Sequence, residues 1–203
     1  MICCIITGIG VITCRMIPHD ASPLAGGPAV EGAAIPPGVY ASLQSGDLIL
    51  ESGHSMLSRA IIRLLDEPRP FSHMGMLIGD QQEWKVIHTL SSEISEVDGL
   101  RLEPLVDFLK GAHPDHLLIV RPRGVKPDDL VQAAEYYLRR HVPFDRFFDL
   151  TDTSAFYCSE FIYYTMIRAG IPEIAPDTLR NGRVYIGFRH FYDDSLVEII
   201  YDK

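Results

Sequence analysis

The sequence predicts an α+β fold in which helices pack on a central antiparallel sheet. Short apolar segments of strand length are bounded by turn residues, and two of them flank a tight loop at Asp80 and Gln81, as in a β-hairpin. Other segments repeat their apolar residues at helical spacing. The chain has 203 residues, of which 47% are hydrophobic, and this is enough for one domain with a core.

Six strands are predicted from the short apolar runs. The first follows the turn at Gly46 and Asp47, and the second and third form the hairpin. The strands are expected at 48–50, 72–78, 84–90, 117–120, 184–188 and 197–201.

Four helices are predicted from apolar spacing and from terminal residues, and they lie at 55–65, 103–110, 127–140 and 158–169. The third begins with Pro127 and two acidic residues and ends with basic residues, and both ends suit the helix dipole. Gly170 and Pro172 close the fourth helix.

The first 40 residues differ from the rest. An apolar run at 2–13 is shorter than the roughly 20 residues of a transmembrane helix but has the length of a signal-peptide core. The run ends in a sequence similar to a bacterial lipobox, in which Cys14 would be lipidated, although no Lys or Arg precedes it. The alternative is a first strand or helix buried in the domain. We therefore divide the chain into a signal or lipoprotein-like segment (1–14), a Pro/Gly/Ala-rich linker (15–40) and one domain (41–203).

Charge and cysteine placement exclude two classes of protein. The net charge of −9 argues against nucleic acid as the main partner, because phosphate binding needs clustered Lys and Arg. Three of the four cysteines lie in the first 14 residues, so a disulfide framework is not expected in the domain. The remaining cysteine, Cys158, is then a candidate for a reactive thiol.

Cys158 is predicted to be a nucleophile at the start of a helix. The positive end of the helix dipole favours the thiolate, and the free backbone N–H groups there can hold an oxyanion. Tyr157 could donate its hydroxyl to that oxyanion or line the substrate site, or it could only pack. The alternative for Cys158 is a buried core cysteine.

Two histidines are predicted to face each other across the hairpin. A loop centred between Asp80 and Gln81 pairs residues whose numbers sum to 161, which places His73 directly opposite His88. His73 would then be the general base, and His88 would orient its ring. The alternatives are histidines without a catalytic role, or an odd-length loop that moves His88 to the other face. Gly75, on the same face as His73, predicts a close approach by the helix of Cys158.

His113 and His116 form a further histidine pair in the sequence HPDH. Their spacing resembles that of metal ligands on a helix. Pro114 and the lack of other ligands nearby favour a surface loop.

Three blocks of sequence resemble a known superfamily, and they are GDLIL (46–50), FSHMGMLIGD (71–80) and PFDRFFDLTDTSAFYCSEF (143–161). They resemble the NlpC-type cysteine peptidases of the papain-like clan. Because the cysteine follows the histidine, their order is similar to that of the circularly permuted branch, the YiiX/YaeF-like amidases. The resemblance extends from about Gly46 to Gly170.

This resemblance implies a permuted papain-like fold with the cysteine helix packed on an antiparallel sheet. It also implies Cys158 as nucleophile, His73 as base and His88 as the third, polar residue, where permuted relatives often carry Glu. The expected activity is a cysteine hydrolase of amide bonds, without metal or organic cofactor. The expected substrates are cell-wall peptides or similar envelope amides.

Several alternatives stay open. The same triad could act on lipid acyl chains as a hydrolase or acyltransferase, or the domain could be an inactive binding module of the same fold. A zinc site built from Cys158, His73 and His88 is a further alternative. The expected location is the periplasm or cell envelope, with membrane anchoring through Cys14, and otherwise the cytoplasm. The oligomeric state is not predicted.

Overall fold

A computed structural model describes residues 32–65, 67–93, 95–179 and 182–203 of the chain. The predicted signal or lipoprotein segment lies outside these residues, as does the larger part of the predicted linker. Within the described ranges, no helix is long and apolar enough to cross a membrane.

The fold is built on one large antiparallel sheet, which confirms the predicted fold class. The strands are β1 Leu48–Gly53, β2 His73–Gly79, β3 Trp84–Leu90, β4 Gly99–Pro104, β5 Ala112–Pro122, β6 Asp177–Thr178, β7 Val184–Tyr185 and β8 Val197–Asp202. Six of them form the sheet in the order β4-β3-β2-β1-β5-β8, with antiparallel neighbours throughout. The short strands β6 and β7 pair separately.

Helices cover both faces of this sheet. They are α1 Pro37–Tyr40, α2 Met56–Leu65, α3 Leu105–Lys110, α4 Pro127–Arg139 and α5 Cys158–Arg168, and a 3-10 helix follows at Phe188–Tyr192. Four of the five α-helices agree with the predicted segments to within a few residues. Helix α1 lies at the end of the predicted linker, and in this stretch Ala33 is buried and donates its N–H to the carbonyls of Leu109 and Ala112 at 3.1 Å.

Alternation along the strands creates two cores. On one face, side chains of β1, β2 and β3 pack against α5, as Leu50 and Met74 do with Phe161. On the other face, the intervening side chains pack against α3, as Ile49 does with Phe108. The sheet is therefore buried on both sides, and this is why its strands appear as continuous apolar runs in the sequence.

Several segments differ from the sequence prediction. The strand predicted at 184–188 is reduced to Val184–Tyr185 in β7, and β6 and the 3-10 helix were not predicted. β4 was not predicted, because the segment GLRLEP has few apolar residues and its two leucines alternate with polar side chains. His113 and His116 were expected in a surface loop, but they lie in β5. They lie in an irregular stretch of β5 between the pairs Glu51–Leu117 and Gly53–Ala112, where β5 has more residues than β1.

The register of the β2–β3 hairpin differs by two residues from the predicted one. The ladder pairs Gly79 with Trp84 and Met76 with Ile87, so paired numbers sum to 163 and the loop is 80–83. Asp80 sets this loop by accepting the N–H groups of Gln82 and Glu83. The prediction of direct opposition for the two histidines was therefore wrong. A shift of two residues preserves the face of every side chain, so the predicted shared face is confirmed.

Gly75 has a different neighbour from the one expected. A Cβ at this position would lie 2.4 Å from Cγ1 of Val86 and 2.9 Å from the carbonyl oxygen of Ile87. The close approach at Gly75 is thus made by β3 and not by the helix of Cys158.

Candidate active site

The start of α5 is fixed by hydrogen bonds on both sides of Cys158. The Tyr157 N–H donates to the Glu160 carboxylate at 3.2 Å, which satisfies one of the free donors of the helix start. The hydroxyl of Ser159 donates to the carbonyl of Ile186 at 2.8 Å. Cys158 is the first residue of α5 and only 7% of its surface is exposed.

The start of α5 meets the sheet where β2 and β3 separate. Their ladder ends at the pair Met76–Ile87, although both strands continue for three more residues. In this gap the N–H of Met74 is directed at the Cys158 sulfur. The hydroxyl of Thr89 donates to the carbonyl of Phe156 at 3.3 Å. The sulfur therefore lies beside the backbone of β2, one residue after His73.

His73 and His88 are in direct contact. Nε2 of His73 lies 2.8 Å from Nδ1 of His88, which is a hydrogen-bond distance, and the two rings are nearly perpendicular, at 70°. Phe108 of α3 stacks on the His73 ring, with 5.5 Å between the centroids. Among the described residues, no hydrogen bond joins the Cys158 sulfur to either ring. The structure thus brings the two histidines together and places the sulfur at the adjoining backbone.

A carboxylate that the sequence analysis missed lies beyond His88. Oε1 of Glu103 lies 3.1 Å from Nε2 of His88, and the other carboxylate oxygen accepts from Arg101. Both residues belong to β4, whose register places Arg101 opposite His88 and Glu103 opposite Val86. The alternation of Arg101 and Glu103 was the available signal, but it has meaning only once β4 is recognised as the neighbour of β3.

Glu51 is a second missed carboxylate. It is the cross-strand partner of His73, it is 6% exposed, and its Oε2 has no hydrogen-bond partner among the described residues. Burial raises the pKa of Glu51 to about 8. Its charge, when present, opposes ionisation of Cys158. The signal in the sequence was a lone acidic residue at the end of the first apolar strand.

Burial keeps the cysteine and the histidines neutral at rest. It raises the pKa of the Cys158 thiol to about 12, although the N–H groups of Ser159, Met74 and Cys158 itself act in the opposite direction. Burial, and then the charge of His88, lower the pKa of His73 to about 3. Burial also lowers the pKa of His88. The expected thiolate at the helix start is therefore replaced by a thiol, because burial outweighs the backbone donors.

A narrow apolar cavity lies beside Cys158. Its volume is about 20 Å³, room for about one water molecule. The wall consists of aliphatic and aromatic side chains from α2 and from the segments around α5, namely Ile61, Leu64, Leu65, Phe148, Tyr157, Leu179, Tyr185 and Phe188. The hydroxyl of Tyr157 accepts the Ile186 N–H at 2.8 Å, so its role at an oxyanion stays a prediction.

The part of the chain that the structure describes gives no support for a metal site. No group of three or more His, Cys, Asp and Glu side chains there is arranged to hold a metal ion. The rings of His113 and His116 are in contact, with their centroids 4.7 Å apart and their planes tilted by 34°.

A permuted order of papain-like elements, with a cysteine at a helix start beside a histidine-bearing sheet, defines a class of cysteine hydrolases. A family model described as "Permuted papain-like amidase enzyme, YaeF/YiiX, C92 family" matches residues 42–184. The chain belongs to this family, and it is a cysteine amidase. The predicted family and enzyme class are confirmed.

One solved structure supports the fold. It is the crystal structure of the metalloprotein yiiX from Escherichia coli O157:H7, which is similar to this chain with a TM-score of 0.62 at 16% sequence identity. The match covers 79% of this chain and 97% of that one. At this identity the likeness concerns the fold alone, which is the predicted permuted papain-like fold. A comparison with curated proteins finds no match.

Proposed function

We propose that the chain hydrolyses an amide bond through a triad of Cys158, His73 and His88. The observation that carries this proposal is the 2.8 Å contact between the two imidazoles, next to the β2 backbone against which the Cys158 sulfur lies. Each member then has one role, as nucleophile, general base and orienting residue.

The proposed reaction begins from the neutral pair. As the sulfur attacks the carbonyl carbon, its proton moves to Nδ1 of His73, so that the thiolate need not exist beforehand. His73 then gives this proton to the leaving amine, and a thioester on Cys158 remains. Water then attacks the thioester while His73 takes its proton, and His73 returns this proton to the departing sulfur as the acid leaves. The backbone N–H groups at the start of α5, with Tyr157, are the proposed oxyanion donors.

Cell-wall peptides or similar envelope amides are the first proposed substrates. The support is the family's amidase class together with the lipoprotein-like start of the sequence. In this proposal the protein works in the periplasm or cell envelope, anchored to the membrane through a lipid on Cys14. The proposed steps use no metal or organic cofactor.

A second candidate function is favoured by the cavity. Its walls beside Cys158 are almost wholly apolar, and this suits an aliphatic acyl chain better than a polar peptide. The same triad would then hydrolyse or transfer acyl chains of lipids. The cavity must widen for a chain to enter, and α2, which forms one wall, is the element whose displacement would widen it.

Trapping of the acyl-enzyme tests both candidates. We expect the full-length protein, quenched in acid during turnover of mixed peptide amides and long-chain acyl amides or esters, to carry an acyl group on Cys158 that intact-mass and peptide mass spectrometry identify. A peptide adduct supports the first candidate and a fatty acyl adduct the second.

The control is Cys158→Ala, which retains the other three cysteines of the chain. If this variant turns over every substrate as fast as the parent protein, the triad is not the catalytic site. Labelling on another cysteine would have the same meaning. If the parent protein turns over no substrate and forms no adduct, the binding-module alternative stands.

A further inference from the structure

We propose that Glu103 is a positioning residue that sets the tautomers of both histidines and leaves Nδ1 of His73 as the free base. This inference rests on the proposed triad. It adds a fourth member that touches neither the substrate nor the sulfur and acts through His88.

Three side chains from neighbouring strands form a continuous row. Nε2 of His73 lies 2.8 Å from Nδ1 of His88, and Nε2 of His88 lies 3.1 Å from Oε1 of Glu103. The second contact is an ion-pair distance without hydrogen-bond geometry, and Nε2 of His88 has no hydrogen-bond partner among the described residues. His88 is 1% exposed, so bulk solvent does not offer its ring an alternative acceptor.

The carboxylate fixes the proton positions one after another. An ionised carboxylate only accepts, so Nε2 of His88 must carry the proton between them. Because a neutral imidazole has one protonated nitrogen, Nδ1 of His88 is then an acceptor. Nε2 of His73 must therefore donate to it. The lone pair on Nδ1 of His73 is left available, and this is the atom to which the proposed mechanism sends the thiol proton.

The charges around the row support this arrangement. Partial burial opposes the ionisation of Glu103, but the contacts with His88 and with Arg101 outweigh it and lower the pKa of Glu103 to about 2. Burial lowers the pKa of both histidines, so each ring carries one proton at neutral pH. Arg101 is held in turn by the Ser95 hydroxyl, which keeps the Glu103 carboxylate in place.

The opposite pair of tautomers shows why the Glu103 carboxylate is needed. Without its charge, His88 can carry its proton on Nδ1 and donate to His73, whose proton then moves to Nδ1. In that form Nδ1 of His73 carries a proton, so this nitrogen cannot act as base. A glutamine at position 103 favours this form, because its amide N–H can donate to Nε2 of His88.

The tautomers can be measured directly. In long-range ¹H–¹⁵N spectra of the full-length protein at neutral pH, we expect both His73 and His88 to be protonated at Nε2. In Glu103→Gln, we expect His73 to shift to the Nδ1-protonated form. Substitution of each histidine in turn assigns its signals.

Kinetics provide the second readout. We expect Glu103→Gln to lower kcat by about 10²-fold, the usual scale of a general base, with little change in KM, because substrate contacts are intact. Glu103→Asp retains the charge and is expected to recover part of kcat. The matched control is Glu83→Gln, which removes a carboxylate that pairs with Lys85 at the β2–β3 turn and should change neither tautomers nor kcat.

Two results would overturn the proposal, namely His73 protonated at Nδ1 in the parent protein, or Glu103→Gln with unchanged tautomers and kcat. Failure of the triad is seen separately. If the tautomers behave as expected but Cys158→Ala remains active, the proton arrangement is supported and the catalytic roles are not.

Discussion

The sulfur of Cys158 is held in two opposing environments. Backbone N–H groups at the start of α5 and at Met74 stabilise a thiolate, while burial and the nearby Glu51 oppose it. Burial prevails. At an exposed helix start a cysteine is favoured as the thiolate, whereas in the proposed mechanism Cys158 loses its proton during the reaction. The basicity of His73 is then decisive for that mechanism.

We therefore expect Cys158 to titrate well above the value of about 8.5 for a free thiol. The difference in thiolate absorbance between the parent protein and Cys158→Ala reports Cys158 alone, because the signal of the N-terminal cysteines cancels. This difference should rise only in strongly alkaline solution. Alkylation of Cys158 by iodoacetamide should follow the same curve. A plateau of thiolate near neutral pH would show instead that a stable thiolate–imidazolium pair exists.

Glu51 should make the fold less stable as the pH rises. Its pKa is raised from 4.5 in the unfolded chain to about 8 in the fold, so the folded state binds more protons between these values and stability falls across that range. Glu51→Gln removes this loss of stability, because a glutamine side chain does not ionise. We expect the variant to be more stable than the parent by on the order of 2 kcal/mol at pH 8, with a much smaller difference near pH 5.

Denaturant unfolding of both proteins at the two pH values measures this difference. Glu93→Gln, on an exposed residue in the segment between β3 and β4, is the control for loss of a carboxylate. A stability difference that is independent of pH would mean that Glu51 is already ionised in the folded protein.

At the scale of elements, α2 and α5 define the cavity beside the sulfur. Ile61 and Leu65 of α2 face Tyr157 and Cys158, while Arg63 lies on the exposed side of the helix. The width of the cavity thus depends on how closely α2 packs, and substitutions on α2 can change substrate preference without touching the triad.

We expect Ile61→Phe to narrow the cavity and to lower kcat/KM for long-chain acyl substrates by about tenfold, since one or two lost methylene contacts have this effect. Short-chain amides should be hydrolysed as before. Arg63→Ala, one half-turn away on the solvent side, should change neither rate. Equal losses for long and short substrates would argue against an acyl chain in this cavity.

At the scale of the whole molecule, much of the fold could be predicted because burial leaves a clear pattern. β2, β3 and α5 are strongly apolar, and turn residues or terminal glycines mark their ends, so their existence and most of their bounds were evident. The shared face of His73 and His88 followed from alternation alone. Their contact needed no exact register, because a shift of two residues leaves it intact.

What was missed depends on contacts between distant segments. β4 is half polar and is defined by its pairing with β3, so Glu103 and Arg101 had no place in a prediction made from local patterns. The neutrality of Cys158 depends on how deeply α5 enters the gap between β2 and β3. No neighbouring residue in the sequence carries that information.

Burial of Cys158 also makes its sulfur a reporter of opening motions. In the closed fold the thiol is protonated and shielded, whereas any excursion that detaches the start of α5 from β2 returns it to the reactivity of an ordinary cysteine. In mildly alkaline solution the rate at which the Cys158 sulfur is modified therefore measures how often α5 detaches from β2. Cys158 can thus serve as a built-in chemical label for opening motions between α5 and β2.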